Sequence, residues 1–579
     1  MSGGRAAPTG RWRFARRLGA WAAGTTGVAV AATFYAGRDE FGVLDTAEPA
    51  AELRLVPGAE HCGHPVAEVP QTPGRERLVL LGSGWGTVAV LKTLAAGAYD
   101  VVVVSPDNYF VFTPLLPSAT VGTVEFRSVV EGVRRIVKRL RGAYVEASAV
   151  DVDLDARRVL VEQPGAGRVW IPYDRLVVGV GAQSITHGVS GLEHCHRLKT
   201  IQDARAIRQH IMANFERAML PTTPDAEKRR LLTFVVCGGG PTGCEFAAEL
   251  HDLLAEDLRH YFPESVRAMV RVVIVQSRDH VLNMMDSAIS EFAERQFERS
   301  GITVVTNARV QSVSEAALRY TTRAADGSIV EHEIPQGLVL WSTGVSQAPF
   351  TRLLCAMLPE AQRNRHAVTV DDRLRLKGVA DGSVYALGDC ATVEFPRLLA
   401  DVEQLFESAH SKDSREITRD ELAVFVRAAA ARYPAAASHL QSLIGSFDRF
   451  DANGNGSIDR SEFRAMLEYV DSKLTALPAL AQVANQEGIY LGRALNALAG
   501  DPHAAVPPFS YHHRGTLAYL GRAAAADFGN GQAYKASGLV AGYLWRSVYW
   551  SQQVSLRTRL LLAIDWIKET LFGRDISRF

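Results

Sequence analysis

Arg77-Leu-Val-Leu-Leu81 runs straight into Gly82-Ser-Gly84-Trp85-Gly86-Thr87, and 156 residues further on Leu231–Cys237 runs into Gly238-Gly239-Gly240-Pro241-Thr242-Gly243. Each short apolar run reads as a buried parallel strand, and each glycine-rich turn opens a helix, expected over 88–96 and 244–258. A second apolar strand follows each helix, Val101–Val104 and Arg271–Val275. In this geometry the first N–H groups of a helix hold a pyrophosphate. Gly82 and Gly238 permit the tight turn, and Gly84 and Gly240 let the phosphate approach the backbone. Gly243 fills the third glycine position, where the first copy has Thr87. A lone glycine turn is easily empty; two copies with correct flanking strands specify an α/β protein with two dinucleotide-binding domains.

Working outward, Leu176–Ala182 and Leu338–Gly344 are apolar strands ending in small residues, with Gly181 and Gly344 where backbone passes a dinucleotide. Val384-Tyr-Ala-Leu-Gly388-Asp389 places a carboxylate just after a strand and a glycine, suited to a ribityl or phosphate-side hydroxyl; a capping role at a buried edge is the alternative. Gln276 ends the second strand of the second unit, where an acid would accept from the ribose 2′-hydroxyl of NADH and repel the 2′-phosphate of NADPH. A neutral Gln there, followed by Ser277 and Arg278, favours NADPH; a spectator Gln would leave both nucleotides accepted.

Asp451-Ala-Asn453-Gly-Asn455-Gly456-Ser457-Ile458-Asp459-Arg-Ser-Glu462 matches the twelve-position EF-hand loop. Asp451, Asn453, Asn455 and Asp459 bring oxygens, Ser457 its carbonyl, Gly456 the turn and Glu462 a bidentate clamp for calcium. Helices are expected over 439–450 and 462–470. A degenerate partner aligns over 410–421 through Ile417 and Glu421, with His410 and Arg415 where an acid and a glycine belong, so one calcium per chain is expected.

With 579 residues the chain is long enough for several domains. Its 63 basic and 63 acidic residues cancel, which argues against a nucleic-acid partner. The six cysteines form no C-x-x-C pair, so neither a zinc site nor a dithiol relay beside the first glycine turn is encoded. His61-Cys62-Gly63-His64 lies in a stretch read as linker and is a weak metal candidate. Residues 1–17 hold five arginines and no acid, and residues 18–36 are uncharged. That pattern suits mitochondrial import with arrest in the inner membrane, leaving the body in the intermembrane space; a disordered tail with a short buried helix is the alternative. Leu556, Leu560, Ile564, Ile567 and Leu571 form one apolar helical stripe. With Trp545, Tyr549, Trp550 and Trp566 as interfacial aromatics and Arg546, Arg557, Arg559 and Lys568 as headgroup contacts, it suits a membrane surface, or equally docking on the protein's own core.

The chain resembles the type II NAD(P)H dehydrogenases, single-subunit non-proton-pumping quinone reductases, over about residues 75–579. The motifs that carry this are the first glycine turn, Asn108–Pro117 with Thr113 and Pro114, the second turn with Glu245-Phe-Ala-Ala-Glu-Leu250, Ala481-Gln482-Val-Ala-Asn-Gln486 and the ending Trp566–Arg578. Externally facing members with an EF-hand insertion are the nearest subtype. Thr87, and Ile185 where Asn is common, depart from the pattern on the flavin side. The resemblance implies FAD held by Gly82, Gly84, Trp85, Gly86, Thr113, Pro114, Gly181 and Asp389. It places NADPH or NADH at Gly238, Gly240, Pro241, Thr242, Gly243, Gln276 and Gly344. The expected reaction is oxidation of NAD(P)H, hydride transfer to FAD and two-electron reduction of ubiquinone at the inner-membrane lipid surface, regulated by calcium. Glu245 would orient the nicotinamide, or be merely a first-turn acid favoured by the helix dipole. Gln482 and Gln486, four apart on one helical face, would donate to a quinone carbonyl, or be merely solvated.

The expected layout is a leader (1–40), a linker (41–75), a flavin domain in three parts (76–232, 341–392 and 472–540, the last with the quinone segment), a nucleotide domain (233–340), an all-α EF-hand insertion (393–471) and C-terminal membrane-anchoring helices (541–579). Whether the chain forms a homodimer is left open. Two other functions fit the same motifs: a calcium-sensing interaction protein on an inactive flavoprotein scaffold, and an apoptosis-inducing-factor-like oxidoreductase with a soluble acceptor. Flavin absorbance bleached by NAD(P)H excludes the first, and a quinone requirement excludes the second.

Overall fold

The structure, a computed structural model, describes residues 51–579 apart from 325, 396, 410–415, 434–435, 474–476, 522, 528–532, 538 and 578–579. The arginine-rich leader with its uncharged run, and His410 and Arg415 of the degenerate loop, lie outside the described residues.

Both apolar runs are central strands. Arg77–Leu81 lies between Asp100–Ser105 and Arg175–Val178 in a five-stranded parallel sheet that continues to Ala143–Glu146 on one side and Val384–Ala386 on the other. Its side chains are almost wholly buried on both faces, as a sheet covered by helices on both sides requires. Thr233–Cys237 is the corresponding strand of a second parallel sheet, ordered Cys195–His196, Leu338–Trp341, Thr233–Cys237, Arg271–Val275 and Thr303–Val305. Two antiparallel short strands, Ala182–Ser184 and Val345–Gln347, pair where the chain crosses between the sheets.

Two boundaries differ from the sequence-based layout. Cys195–His196 joins the nucleotide sheet, and the helix Ile201–Met219 packs Ala204, Ile207, Ile211 and Phe215 into the same core as Phe234. Residues from about 195 to 232, assigned above to the flavin domain, therefore belong to the nucleotide side; local periodicity shows an apolar face but not which sheet covers it. The stretch read as linker also holds an antiparallel hairpin, Arg54–His61 with His64–Glu68. Cys62 and Gly63, both at positive φ, form its two-residue turn. His61 there pairs with Asp153 at 2.9 Å.

The insertion is helical, and its two loops meet. Ile417 and Ile458, position 8 of each twelve-residue loop, are paired across a short antiparallel bridge, so the degenerate copy is the structural partner of the intact one. At the base of the insertion the buried Asp471 accepts from the backbone N–H groups of Leu398 (2.9 Å) and Leu399 (3.0 Å), stapling its two ends together.

The C-terminal helices correct one expectation. Trp545, Tyr549 and Trp566 are buried, packing with Phe110, Phe112 and Leu115, so they attach the segment to the body instead of forming an interfacial belt. The basic residues also have partners within the protein: Arg546 pairs with Glu569, Lys568 with Glu125, and Arg557 donates to the carbonyl of Val130. Beyond the last helix the buried Arg574 ties the tail to Asp257 (2.6 Å) and Glu256 (3.3 Å), with Glu249 at 4.0 Å. Arg574→Ala is expected to cost roughly 3–5 kcal/mol, because it leaves buried carboxylates without a counter-charge. An unchanged thermal unfolding midpoint would contradict this.

Candidate active site

The first cradle is built by exclusion of side chains. Gly82 has φ +97, and a Cβ there would collide with the carbonyl of Gly179. Gly84 faces open space and caps the helix Trp85–Thr93, which has neither a side-chain cap nor an acid in its first turn. Its first N–H groups and the dipole are thus available to an anion. Thr87, the departure at the third glycine position, is accommodated because its Oγ1 points at Gly179, which has no Cβ to obstruct it. Trp85 donates to Thr113 Oγ1 at 3.0 Å and sits edge-on to Phe110, so the Asn108–Pro117 motif forms the rim of this cradle, with Pro114 half-buried beside Thr113.

The second cradle repeats the device. Gly238 has φ +105, Gly243 packs against the Gly238 carbonyl, Gly240 is open and caps the helix Pro241–Asp252, and Pro241 occupies its first turn with Thr242. Gln276 is buried at the end of its strand as expected. Its Oε1 accepts from the N–H groups of Gly239 (3.3 Å) and Ser277 (3.1 Å), and its Nε2 donates to the carbonyl of His280 (3.1 Å). Ser277 and Arg278 are exposed beside it. Gly344 has φ +38 and lies against Ile185, whose carbonyl accepts from Trp341 Nε1 at 2.9 Å. The second departure therefore serves as packing at the crossing between domains. Thr343 Oγ1 is buried there with no protein partner among the described residues.

The helix Ala481–Gly500 lies directly on the flavin-side helix. A Cβ at Gly488 would collide with the carbonyl of Gly86, and one at Gly492 would sit 2.7 Å from Thr93. Gln482 and Gln486 share one face, but neither is simply solvated. Gln482 donates to the Gly515 carbonyl (3.1 Å) and accepts from Arg514 N–H (3.2 Å); Gln486 donates to the His512 carbonyl (2.8 Å) and accepts from His512 N–H (3.0 Å). One N–H of each amide is thereby committed to backbone, leaving the other for a substrate carbonyl. Glu487, which sequence reasoning missed, is buried and accepts from Gly388 N–H at 2.6 Å, fastening this helix to the turn that carries Asp389.

Glu245 is buried beyond the first helical turn, so the dipole does not account for it. Burial raises its carboxyl to about 8, opposed by the N–H of Tyr519 at 3.3 Å. Glu487 is likewise raised to about 8 by burial. Burial also raises Asp389, with Lys199 acting against it. Burial pushes the Cys390 thiol up to about 12, and Cys244, also raised by burial, donates to the Gly239 carbonyl.

In the calcium loop, Asp451 accepts from Asn455 and Gly456 N–H, and Glu462 folds back over the loop to accept from Ala452 (2.8 Å) and Asp459 (2.9 Å) N–H. Among the described residues no three His, Cys, Asp or Glu side chains gather as for a metal. The donor set is instead the mixed one of an EF-hand, with the amide oxygens of Asn453 and Asn455 and the carbonyl of Ser457.

Two glycine cradles, one per parallel sheet, with an open N-capping glycine in each, define a two-dinucleotide flavoprotein. Residues 76–412 match the pyridine nucleotide-disulphide oxidoreductase family, 513–575 the NDH2 C-terminal domain and 442–473 the EF-hand domain. The chain is 41% identical to an external alternative NAD(P)H-ubiquinone oxidoreductase B1, mitochondrial, of Solanum tuberosum, covering 87% of this chain and 90% of that one. It is 40% identical to the B1 protein of Arabidopsis thaliana, covering 86% and 91%. NDH2 from Plasmodium falciparum, solved in complex with NADH, superposes with a TM-score of 0.77 at 26% identity, covering 87% of this chain and 100% of that one. The chain belongs to the type II alternative NAD(P)H-ubiquinone oxidoreductases, within the pyridine nucleotide-disulphide oxidoreductase family.

Proposed function

We propose that the protein oxidises NADPH in preference to NADH and reduces ubiquinone at the surface of the inner mitochondrial membrane, on its intermembrane-space face, under calcium control. FAD supplies acceptance of a hydride and onward delivery of its electron pair. The residues of the chain do the rest. The Gly82–Thr87 and Gly238–Gly243 turns hold the two pyrophosphates, and Glu245 stands at the nicotinamide end. Asp389 orients the flavin side, and the uncommitted N–H groups of Gln482 and Gln486 serve the quinone carbonyl. Fixing the partners in contact is itself worth several kcal/mol of barrier.

The observation that carries the membrane assignment is the outer face of the helix Leu556–Phe572. Leu560 (55%), Ile564 (57%), Ile567 (41%), Leu571 (45%) and Phe572 (78%) remain exposed along it. A contiguous apolar stripe of this kind marks a lipid or protein contact, and a quinone that resides in the bilayer favours lipid. Among the described residues no helix is long and apolar enough to cross a membrane, which suits attachment by this face. Leu560→Asp with Ile564→Asp should remove roughly 3–6 kcal/mol of apolar partitioning. That predicts loss of co-sedimentation with anionic phospholipid vesicles, with turnover of a water-soluble short-chain quinone retained. Full vesicle binding by the double variant would overturn the assignment. For the face, intact mitochondria should oxidise added NADPH through this enzyme; activity that emerges only once the inner membrane is opened would refute it.

A further inference from the structure

The degenerate loop offers the intact one more than a backbone bridge. Glu416 stands one residue before Ile417, which pairs with Ile458. Its Oε2 accepts from the Ser457 hydroxyl and from Asn455 Nδ2, the latter at 3.3 Å. Asn455 and Ser457 are positions 5 and 7 of the calcium loop, the first offering its amide oxygen and the second its backbone carbonyl. One side chain of the degenerate loop thus grips two ligand residues of its neighbour. The orientation of the Asn455 amide follows from its partners. The Ser457 N–H donates to Oδ1 at 2.8 Å, and an ionised carboxylate only accepts, so Nδ2 is the atom that faces Glu416.

The Ser457 hydroxyl has two acceptors within reach and one proton to give. Besides Glu416, Asn455 Oδ1 lies 2.8 Å from it. Oδ1 has two lone pairs, and the Ser457 N–H already takes one. Were the hydroxyl to take the other, none would be left for a cation. A carboxylate is the stronger acceptor, so with Glu416 in place the hydroxyl proton goes there and the second lone pair stays open. We propose that Glu416 is a positioning residue of the calcium site, holding the Asn455 amide and diverting the Ser457 hydroxyl from Oδ1, and that it raises calcium affinity from outside the twelve-residue loop. The proposal rests on the reading of that loop as a calcium site and adds a contributor that the twelve-position pattern does not contain.

The test titrates calcium calorimetrically into chelator-stripped full-length holoenzyme, for wild type, Glu416→Ala, Ser457→Ala and the double variant. Glu416 is exposed, so its truncation leaves no buried cavity. Ser457→Ala removes the competing hydroxyl and keeps the carbonyl ligand. Glu416→Ala should raise the Kd for calcium roughly three- to tenfold, the worth of one competing hydrogen bond. In the Ser457→Ala background the same substitution should raise it about twofold or less, because no hydroxyl remains to be diverted. An unchanged Kd in Glu416→Ala would overturn the proposal. So would an equal loss in both backgrounds, which is the mark of a general charge effect. A wild-type chain that binds no calcium would instead overturn the calcium reading beneath it.

Discussion

Glu462→Gln is expected to abolish calcium stimulation of quinone reduction while FAD content stays at the wild-type level. Glu462 stands at position 12, where the EF-hand pattern calls for a bidentate ligand, and losing its charge should weaken calcium binding by roughly a hundredfold from a sensor-range affinity of about 0.1–10 µM. The route from loop to site is short. Glu462 lies in the first turn of the helix Arg460–Lys473, whose Asp471 holds the start of the insertion through Leu398 and Leu399. The helix Ala481–Gly500 begins eight residues after Lys473 and bears Gln482 and Gln486. Gly488 of that helix rests on Gly86, so a shift in its N-terminal end is opposed at a fixed seam and concentrated on the two glutamines. Calcium changes activity only to the extent that it binds the competent arrangement more tightly. Turnover with a short-chain quinone, titrated with calcium in both proteins, checks the prediction. A variant that remains fully calcium-stimulated would sink the gating proposal.

The parts legible in the sequence are those in which one local stretch contains its own physical reason. A strand followed by G-x-G is a backbone requirement, and both cradles lie where the glycines place them, with φ above +90° at Gly82 and Gly238. The EF-hand loop is likewise self-contained, and the pairing of Ile417 with Ile458 follows from the alignment of two twelve-residue loops. What was missed depends on partners far along the chain. Glu487 matters because it meets Gly388, 99 residues away, and Arg574 because it meets Asp257, 317 away. The hairpin of residues 54–68 escaped because its longer strand alternates poorly and includes Pro57 and Gly58. The C-terminal stripe is legible as an apolar face, but periodicity identifies a face without saying what covers it, and the aromatic residues Trp545, Tyr549 and Trp566 beside it fill the protein's own core.

The nucleotide preference rests on Gln276, and the structure sharpens what its replacement should do. The unmodified enzyme is expected to use NADPH better than NADH, and Gln276→Glu should reverse that order. The side chain is held at its base by two backbone donors, Gly239 and Ser277 N–H, which a carboxylate would accept from equally well. Its amide nitrogen, however, donates to the His280 carbonyl at 3.1 Å. A carboxylate oxygen in that place would be repelled by the carbonyl and would turn towards the ribose edge, where it accepts from a 2′-hydroxyl. The same negative charge would repel a 2′-phosphate by roughly 1–3 kcal/mol, about ten- to a hundredfold in selectivity. Ser277 and Arg278, both exposed at the strand end, remain able to contact that phosphate, so the reversal should be partial in Gln276→Glu and larger when Arg278→Ala is added. The measurement is the ratio of kcat/KM for NADPH to that for NADH, with calcium present throughout. Equal or better use of NADH by the unmodified enzyme would overturn the preference. A ratio unmoved by Gln276→Glu would show that the residue only braces the glycine turn.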